Sequence, residues 1–312
     1  MTDDQQSIVA GGRKLLYNVN HLLDARNGHP RPVMFHVCLT NRCQLKCDFC
    51  CYGDRPLQDE LSIDALKQFA IDSIRLGTRV WEITGGGEPL LHPHVNDIIA
   101  FLDKLGISTG LMTNGLALDR LDNPAALKWI RVSLHALQQN RGDELAEKIA
   151  LVRDQVKISC CFVATDANLY LLPAVFDFAV KNDVKIKVEP NCYQPRDTVL
   201  RLVEQLRHKV DGVPNVFLDF NTVFDRQSDR CYAHLIKPFL YTNGWLCDCP
   251  LPIGDSYDVD PQFHLCRMED VVDYYQNLTE LDRHHDCSFC RYEEHNAVAE
   301  GVLIPLDDKE FC

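Results

Sequence analysis

"NRCQLKCDFC", residues 41–50, decides how the rest of the chain is read: Cys43, Cys47 and Cys50 stand in C-x3-C-x2-C spacing, and Cys51 follows at once. Three thiolates are an unfinished set for a structural zinc ion, which generally closes with four ligands. On a 4Fe-4S cubane, three thiolates leave one iron free to bind something else. A fourth ligand would have to come from Cys51 or Cys38. Adjacent residues such as Cys50 and Cys51 seldom both reach one metal without strain, and Cys38 falls inside a strand. The incomplete set therefore points to catalysis.

Outward from this stretch the chain alternates short apolar runs with amphipathic ones. "VMFHVCL" (33–39) reads as a strand, and "SIDALKQFAIDSIRLG" (62–77) as a helix with Ser62 as N-cap and Gly77 as stop. Strand "RVWEIT" (79–84), a helix over 92–106 and strand "ISTGLMT" (107–113) follow. Further strands are expected at 129–135, 156–164 and 184–190, with helices near 140–154, 168–182 and 196–210. This series predicts an α/β fold with parallel strands, a barrel or a doubly wound sheet, whose site lies in the loops at the strands' C-terminal ends. Those loops hold the three cysteines, "GGGEP" (85–89), "TNG" (113–115), and the strand-end residues Ser133 and His135.

Composition narrows the function classes. Lys plus Arg number 32 against 45 Asp plus Glu, a net charge of -13, which disfavours extended nucleic-acid binding. The first residues, "MTDDQQSIVAGGRKLL", lack the apolar run of about 7–15 residues of a signal peptide, and no transmembrane helix is expected. A cytoplasmic location is expected, and there the 15 cysteines are expected to stay reduced and hold metal.

The cysteine spacing, Phe49 before the last cysteine, and "GGGEP" after the second strand together resemble the radical S-adenosylmethionine (SAM) superfamily. The resemblance covers residues from about 30 to 195 and implies a partial (β/α)6 TIM-type barrel. It also implies that Cys43, Cys47 and Cys50 hold a catalytic 4Fe-4S cluster whose free iron binds SAM. One electron then cleaves SAM to methionine and a 5'-deoxyadenosyl radical, which abstracts hydrogen from a substrate C–H bond. By the same resemblance Phe49 would lie near the adenine. Gly86, Gly87 and Glu88 would meet the SAM ammonium through backbone carbonyls, with the Glu88 carboxylate as a further contact. Asn114 and Ser133 would touch its carboxylate or ribose. The fifth strand, "ISCCFVATDAN", departs from the glycine-containing adenine segment of many relatives, which leaves adenine contacts there open. Cys160 and Cys161 point to opposite faces of that strand, so at most one enters the barrel. His135 and Glu189 are candidates for substrate contact or for strand-end capping.

Beyond the barrel a second group of cysteines, Cys231, Cys249, Cys287 and Cys290, resembles an auxiliary-cluster domain of the SPASM/Twitch kind. Only Cys312 follows, so the shorter Twitch form with one auxiliary 4Fe-4S cluster fits better. Zinc is the competitor for this set, and Cys247 and Cys266 are spare ligands. The expected organisation is an N-terminal helical extension (1–30), packing across the barrel bottom, a core (31–212) and a small C-terminal iron-sulfur domain (213–312). The expected activity is oxidation, bond formation or rearrangement of a peptide side chain or small molecule. The alternatives are a radical isomerase or modifying enzyme acting on a nucleoside or modified DNA base, and a non-catalytic electron-transfer or sensor protein. A methyl or methylthio transferase ranks below these. The resemblance implies a reducing partner such as flavodoxin or ferredoxin. The roughly thirty residues before the first strand are too few for an independent leader-binding fold.

Overall fold

In a computed structural model, residues 12–53, 55–192, 194–219, 229–250, 260–285, 287, 290 and 292–304 are described. Six parallel strands form the core, five of them followed by an α-helix. Strands β1 (Phe35–Cys38), β2 (Val80–Thr84), β3 (Ser108–Thr113), β4 (Trp129–Ser133), β5 (Lys157–Ala164) and β6 (Ile186–Pro190) run in sequence order, all parallel. After α1 (Val19–Arg26), the helices α2 (Ile63–Leu76), α3 (Val95–Lys104), α4 (Gly142–Val152), α5 (Leu172–Lys181) and α6 (Arg196–Val210) follow β1, β2, β4, β5 and β6, while two short 3-10 turns, Leu118–Arg120 and Pro124–Ala126, connect β3 to β4.

Local chemistry accounts for these elements. Ser62 caps α2 by accepting from the Ala65 N–H at 3.2 Å, which is worth about 1 kcal/mol, and Gly77 ends it at φ 87°. Buried Leu66, Phe69 and Ala70 form the inner stripe of α2, and Phe69 meets Phe35 and Trp81 at ring-centroid distances of 4.9 and 5.4 Å. The indole N–H of Trp81 donates to Ser73 Oγ at 3.2 Å, so that polar atom is satisfied inside the core.

The sheet does not end at six strands and does not close. β7 (Val216–Leu218) adds parallel to β6, and at the other edge the returning chain adds β9 (Phe239–Leu240) parallel to β1. β10 (Trp245–Cys247) and β11 (His264–Arg267) continue antiparallel, giving an open ten-stranded sheet ordered β11-β10-β9-β1-β2-β3-β4-β5-β6-β7. The cysteine-rich C-terminal region thus extends the barrel's own sheet. A short α7 (Ala233–Ile236) precedes β9, and α8 (Val271–Gln276) follows β11. A separate two-stranded sheet pairs β8 (Arg230–Cys231) with β12 (Arg283–His284), setting Cys231 beside the segment that leads to Cys287 and Cys290. The N-terminal segment Gly12–Arg26 packs on the last helix, α9 (Glu293–Leu303), through Gly12 N–H to Glu294 Oε2 at 3.1 Å and Arg26 to the Val302 carbonyl at 3.3 Å. Lys14 and Leu15 line the cavity alongside Val80, Ser108 and Lys157, the first residues of β2, β3 and β5.

Candidate active site

The cysteine loop leaves β1 and is tied down by side chains that spacing alone does not reveal. Arg55, 9% exposed, donates to the carbonyls of Asn41 (2.7 Å) and Tyr52 (2.6 Å) and points Nη1 at Cys50 Sγ (3.8 Å). Asn41 donates to the Pro56 carbonyl, and Arg42 bridges Glu60 and the Leu91 carbonyl. A buried arginine inside an otherwise ordinary loop sequence was the only signal, and it is weak without coordinates.

The glycine loop docks directly on the cysteine loop. Gly87 N–H donates to the Thr40 carbonyl (2.9 Å) and Glu88 N–H to the Arg42 carbonyl (2.7 Å). A Cβ on Gly87 would fall 2.2 Å from the Arg42 carbonyl oxygen, and one on Gly85 would fall 1.8 Å from the Gly87 oxygen, so only glycine fits at either position. The Glu88 carboxylate, 2% exposed, accepts from Leu90 N–H (3.0 Å), Thr113 Oγ (2.7 Å) and Asn114 N–H (2.7 Å). Burial pushes its carboxyl above the usual range against the pull of these three donors. Its main work is to lash the glycine loop to the end of β3.

Asn114 reaches the thiol side of the site. Its amide nitrogen lies 3.8 Å from Cys43 Sγ, and its oxygen accepts from Gln44 Nε2 (3.2 Å) and Leu116 N–H (3.0 Å). Ser133 lines the cavity and donates to His135 Nδ1 at 2.5 Å, while His135 Nε2 donates to the Val163 carbonyl at 3.2 Å. Burial drives the His135 pKa down to about 4, so the ring is neutral. Phe49 packs on this histidine at a centroid distance of 4.3 Å, and neither ring is among the cavity-lining residues. His135 is therefore a support for Phe49 and Ser133. On β5 one thiol enters the barrel: Cys161 lines the cavity and Cys160 is fully buried in the core.

Cys43, Cys47 and Cys50 all line one cavity of about 1370 Å³ with the glycine loop, Asn114 and Ser133. Burial, then the neighbouring Cys50 and Cys43, push the Cys47 thiol up to about 12. Burial also pushes the Cys43 thiol up, and an iron cluster supplies the positive charge that favours the thiolate of Cys43 and Cys47. Leu45 N–H already donates to Cys43 Sγ at 3.4 Å, a contact that suits a thiolate. Burial, with Cys51 nearby, pushes the Cys38 thiol up. Cys38, fully buried, packs with Phe239, Tyr241 and Cys247. Among the described residues no three side chains gather closely enough to hold a single metal ion. Three cysteines facing one cavity suit a cubane, which places each thiolate on its own iron and leaves the fourth iron open, whereas a structural zinc generally closes with four ligands.

At the C-terminal end, Cys231, Cys249 and Cys290 share one buried cluster with Ala233 and Tyr292. Burial, then Asp248, Cys290 and Cys287, push the Cys231 thiol up to about 12. Cys290 Sγ accepts from Tyr292 N–H (3.3 Å) and Asn296 Nδ2 (3.4 Å), and Ala233 N–H donates to Cys231. The donor two residues after the thiol repeats the Cys43–Leu45 arrangement. Cys287 also packs against the separate group of Cys38, Phe239 and Cys247. Cys247 belongs to that same group and Cys266 lies partly buried against the main core. Cys312 falls outside the described residues.

The barrel interior between these ends is charged. Lys187 contacts Glu189 (2.8 Å) and Asp219 (2.9 Å), and His36 contacts Glu82 (3.3 Å). Burial opposes the Lys187 charge, yet the two carboxylates hold its pKa above the ordinary lysine value. Burial likewise opposes the Glu82 charge, and His36 with Lys237 and Arg131 keeps that carboxyl well below the usual range. Buried ion pairs seldom add net stability, so such a lining is better explained by a polar ligand.

An open parallel sheet with three cysteines and a glycine loop at its C-terminal edge defines a class. Residues 37–150 match the radical SAM superfamily, and the chain is a radical SAM enzyme, a class that works with a 4Fe-4S cluster and SAM. Among curated proteins it is similar to a probable GTP 3',8-cyclase of Methanococcus maripaludis, 24% identical over 281 residues, 74% of this chain and 93% of that one. It is also 33% identical over 129 residues to the GTP 3',8-cyclase of Aquifex aeolicus, covering 38% of this chain and 40% of that protein. Among solved structures, Streptococcus suis SuiB bound to S-adenosylmethionine has the same fold, with TM-score 0.57 and 16% identity over 86% of this chain and 71% of that one. No described helix is long and apolar enough to cross a membrane.

Proposed function

We propose that Cys43, Cys47 and Cys50 hold the catalytic cluster, that Gly86, Gly87, Asn114 and Ser133 seat SAM beside it, and that the substrate is a small polar molecule held in the barrel. The observation that carries this reading is the single cavity. It is lined at one end by the three cysteines and the glycine loop, and elsewhere by Pro250 and Tyr292, which flank Cys249 and Cys290 of the second thiol group. Between them lie Glu82, Arg131, Lys187 and Glu189. When bound and reduced, for example by a flavodoxin or ferredoxin, the cluster supplies the electron that splits SAM and so generates the hydrogen-abstracting radical. The chain's own part is to fix one substrate C–H bond and keep other reductants away.

Cys231, Cys249 and Cys290, with Cys287, are proposed to hold an auxiliary 4Fe-4S cluster that exchanges electrons with the substrate. The coexistence with a radical SAM core favours a cubane over zinc here too. Lys14, Lys237, Tyr292 and His295 line the same cavity, and its charged, inward-facing lining supports a small polar molecule. The similarity to proteins named GTP 3',8-cyclases favours a nucleoside among small molecules, with rearrangement as the reaction type.

The test is anaerobic reconstitution with iron and sulfide, followed by SAM and dithionite. Formation of 5'-deoxyadenosine is expected in the wild type and its loss in Cys47→Ala. Deuterium transfer from a labelled candidate into 5'-deoxyadenosine would then identify the substrate and the attacked carbon. Intact SAM under strong reduction would overturn the proposal.

A further inference from the structure

Two charged groups in the barrel interior have an atom with no partner. Glu82 is 8% exposed; its Oε2 faces His36, and its Oε1, buried, has no hydrogen-bond partner. Arg131 Nε is likewise buried without an acceptor, and Arg131 forms no ion pair among the described residues. The guanidinium rests against the Trp129 ring, 5.3 Å from its centroid. By contrast Lys187 is doubly paired, to Glu189 and Asp219.

The register sets Glu82 in a row with Trp129, and Arg131 lies two residues further along β4, opposite Met112. Glu82 pairs with Gly110, and Gly110 with Trp129, across β2, β3 and β4. Gly110 keeps that row open, because a Cβ there would fall 2.2 Å from Trp129 Cζ2. The indole thus lies over β3, partly exposed in the cavity, between a carboxylate on one strand and a guanidinium on the other. Strands β2 and β4 are two spacings apart, about 10 Å, and both side chains reach inward from the flanks. A buried acceptor and a buried donor left open on either side of an aromatic face call for a ligand that supplies both complements.

Resting on the function proposed above, we propose that Glu82 and Arg131 recognise the substrate. They take a nucleobase-type heterocycle by an N–H donor at Glu82 Oε1 and an acceptor at Arg131 Nε. Arg131 lies two residues before Ser133 on β4, and both line the cavity that the three cysteines share. The chemistry favours a heterocycle because its edge carries an N–H donor and a ring acceptor together, the two complements that Glu82 Oε1 and Arg131 Nε lack.

The test is equilibrium dialysis of GMP, UMP, AMP and free glutamate and arginine against the reconstituted full-length chain, without reductant. At least one nucleotide is expected to bind. Glu82→Gln and Arg131→Met are each expected to weaken it tenfold or more, and Trp129→Phe to weaken it less. Iron content and the far-UV circular dichroism spectrum serve as folding controls. Should Glu82→Gln fail to fold for want of its His36 contact, Arg131→Met, which breaks no ion pair, carries the test. Unchanged nucleotide binding in both variants, binding of the amino acids alone, or no nucleotide binding would each overturn the assignment. The readout needs no SAM cleavage, so failure of the wild type to cleave SAM would sink the radical reading and leave this measurement standing.

Discussion

At the scale of single residues, the site depends on side chains whose job is to hold others. Arg55 makes two charged hydrogen bonds to loop carbonyls, each worth about 1.5–3 kcal/mol. Arg55→Met is therefore expected to cost about 3 kcal/mol or more in urea unfolding and to lower iron retention at the catalytic cluster. Arg55→Lys should recover only part of this, lacking the fork that reaches both carbonyls. His135 gives a pH signature. Its folded pKa of about 4 lies below the ordinary 6.5, so the unfolded chain binds the extra proton first as pH falls. The stability it contributes is fully present above pH 6.5 and is lost progressively down to about pH 4, a loss of about 2 kcal/mol at pH 5. Comparing urea unfolding at pH 7.5 and pH 5, His135→Gln should remove about that much of the wild-type difference.

At the scale of elements, the close approach of two loops is the vulnerable feature. Gly87→Ala sets a methyl against the Arg42 and Asn41 backbone, which cannot retreat because Arg55 and Asn41 pin it. The glycine loop must then move off the cysteine loop. Tenfold or greater weakening of SAM binding is expected by dialysis, with the circular dichroism spectrum of the sheet and helices unchanged. Wild-type affinity in this variant would show that the contact is not required. The regular elements were legible beforehand: the helix over 196–210 and the caps Ser62 and Gly77 of α2 stand where the pattern put them. β7, β9, β10 and β11 were not, because strands of two to four residues carry too little periodicity to be distinguished from loop.

At the scale of the whole molecule, the C-terminal cysteines are expected to work with the barrel. The wild type should carry about eight irons for two cubanes, against about four irons and one zinc for the competing assignment. Removing Cys231 and Cys290 together should halve the iron content and spare the cluster near residue 47. Substrate turnover should fall at least a hundredfold, with SAM cleavage less affected. Iron content unchanged in that double variant would sink the auxiliary assignment.

The cysteine spacing, the glycine loop and the six parallel strands were determined by the sequence alone, since each depends on neighbours a few residues apart. Local sterics, caps and periodicity act at that range. Only the tertiary structure decided that Glu88 lashes a loop, that Cys161 and not Cys160 enters the barrel, and that β9 extends the sheet beside β1. It alone set Glu82, Gly110 and Trp129 in one row. Those outcomes depend on strand register and on contacts between segments far apart in the chain, which no local pattern encodes.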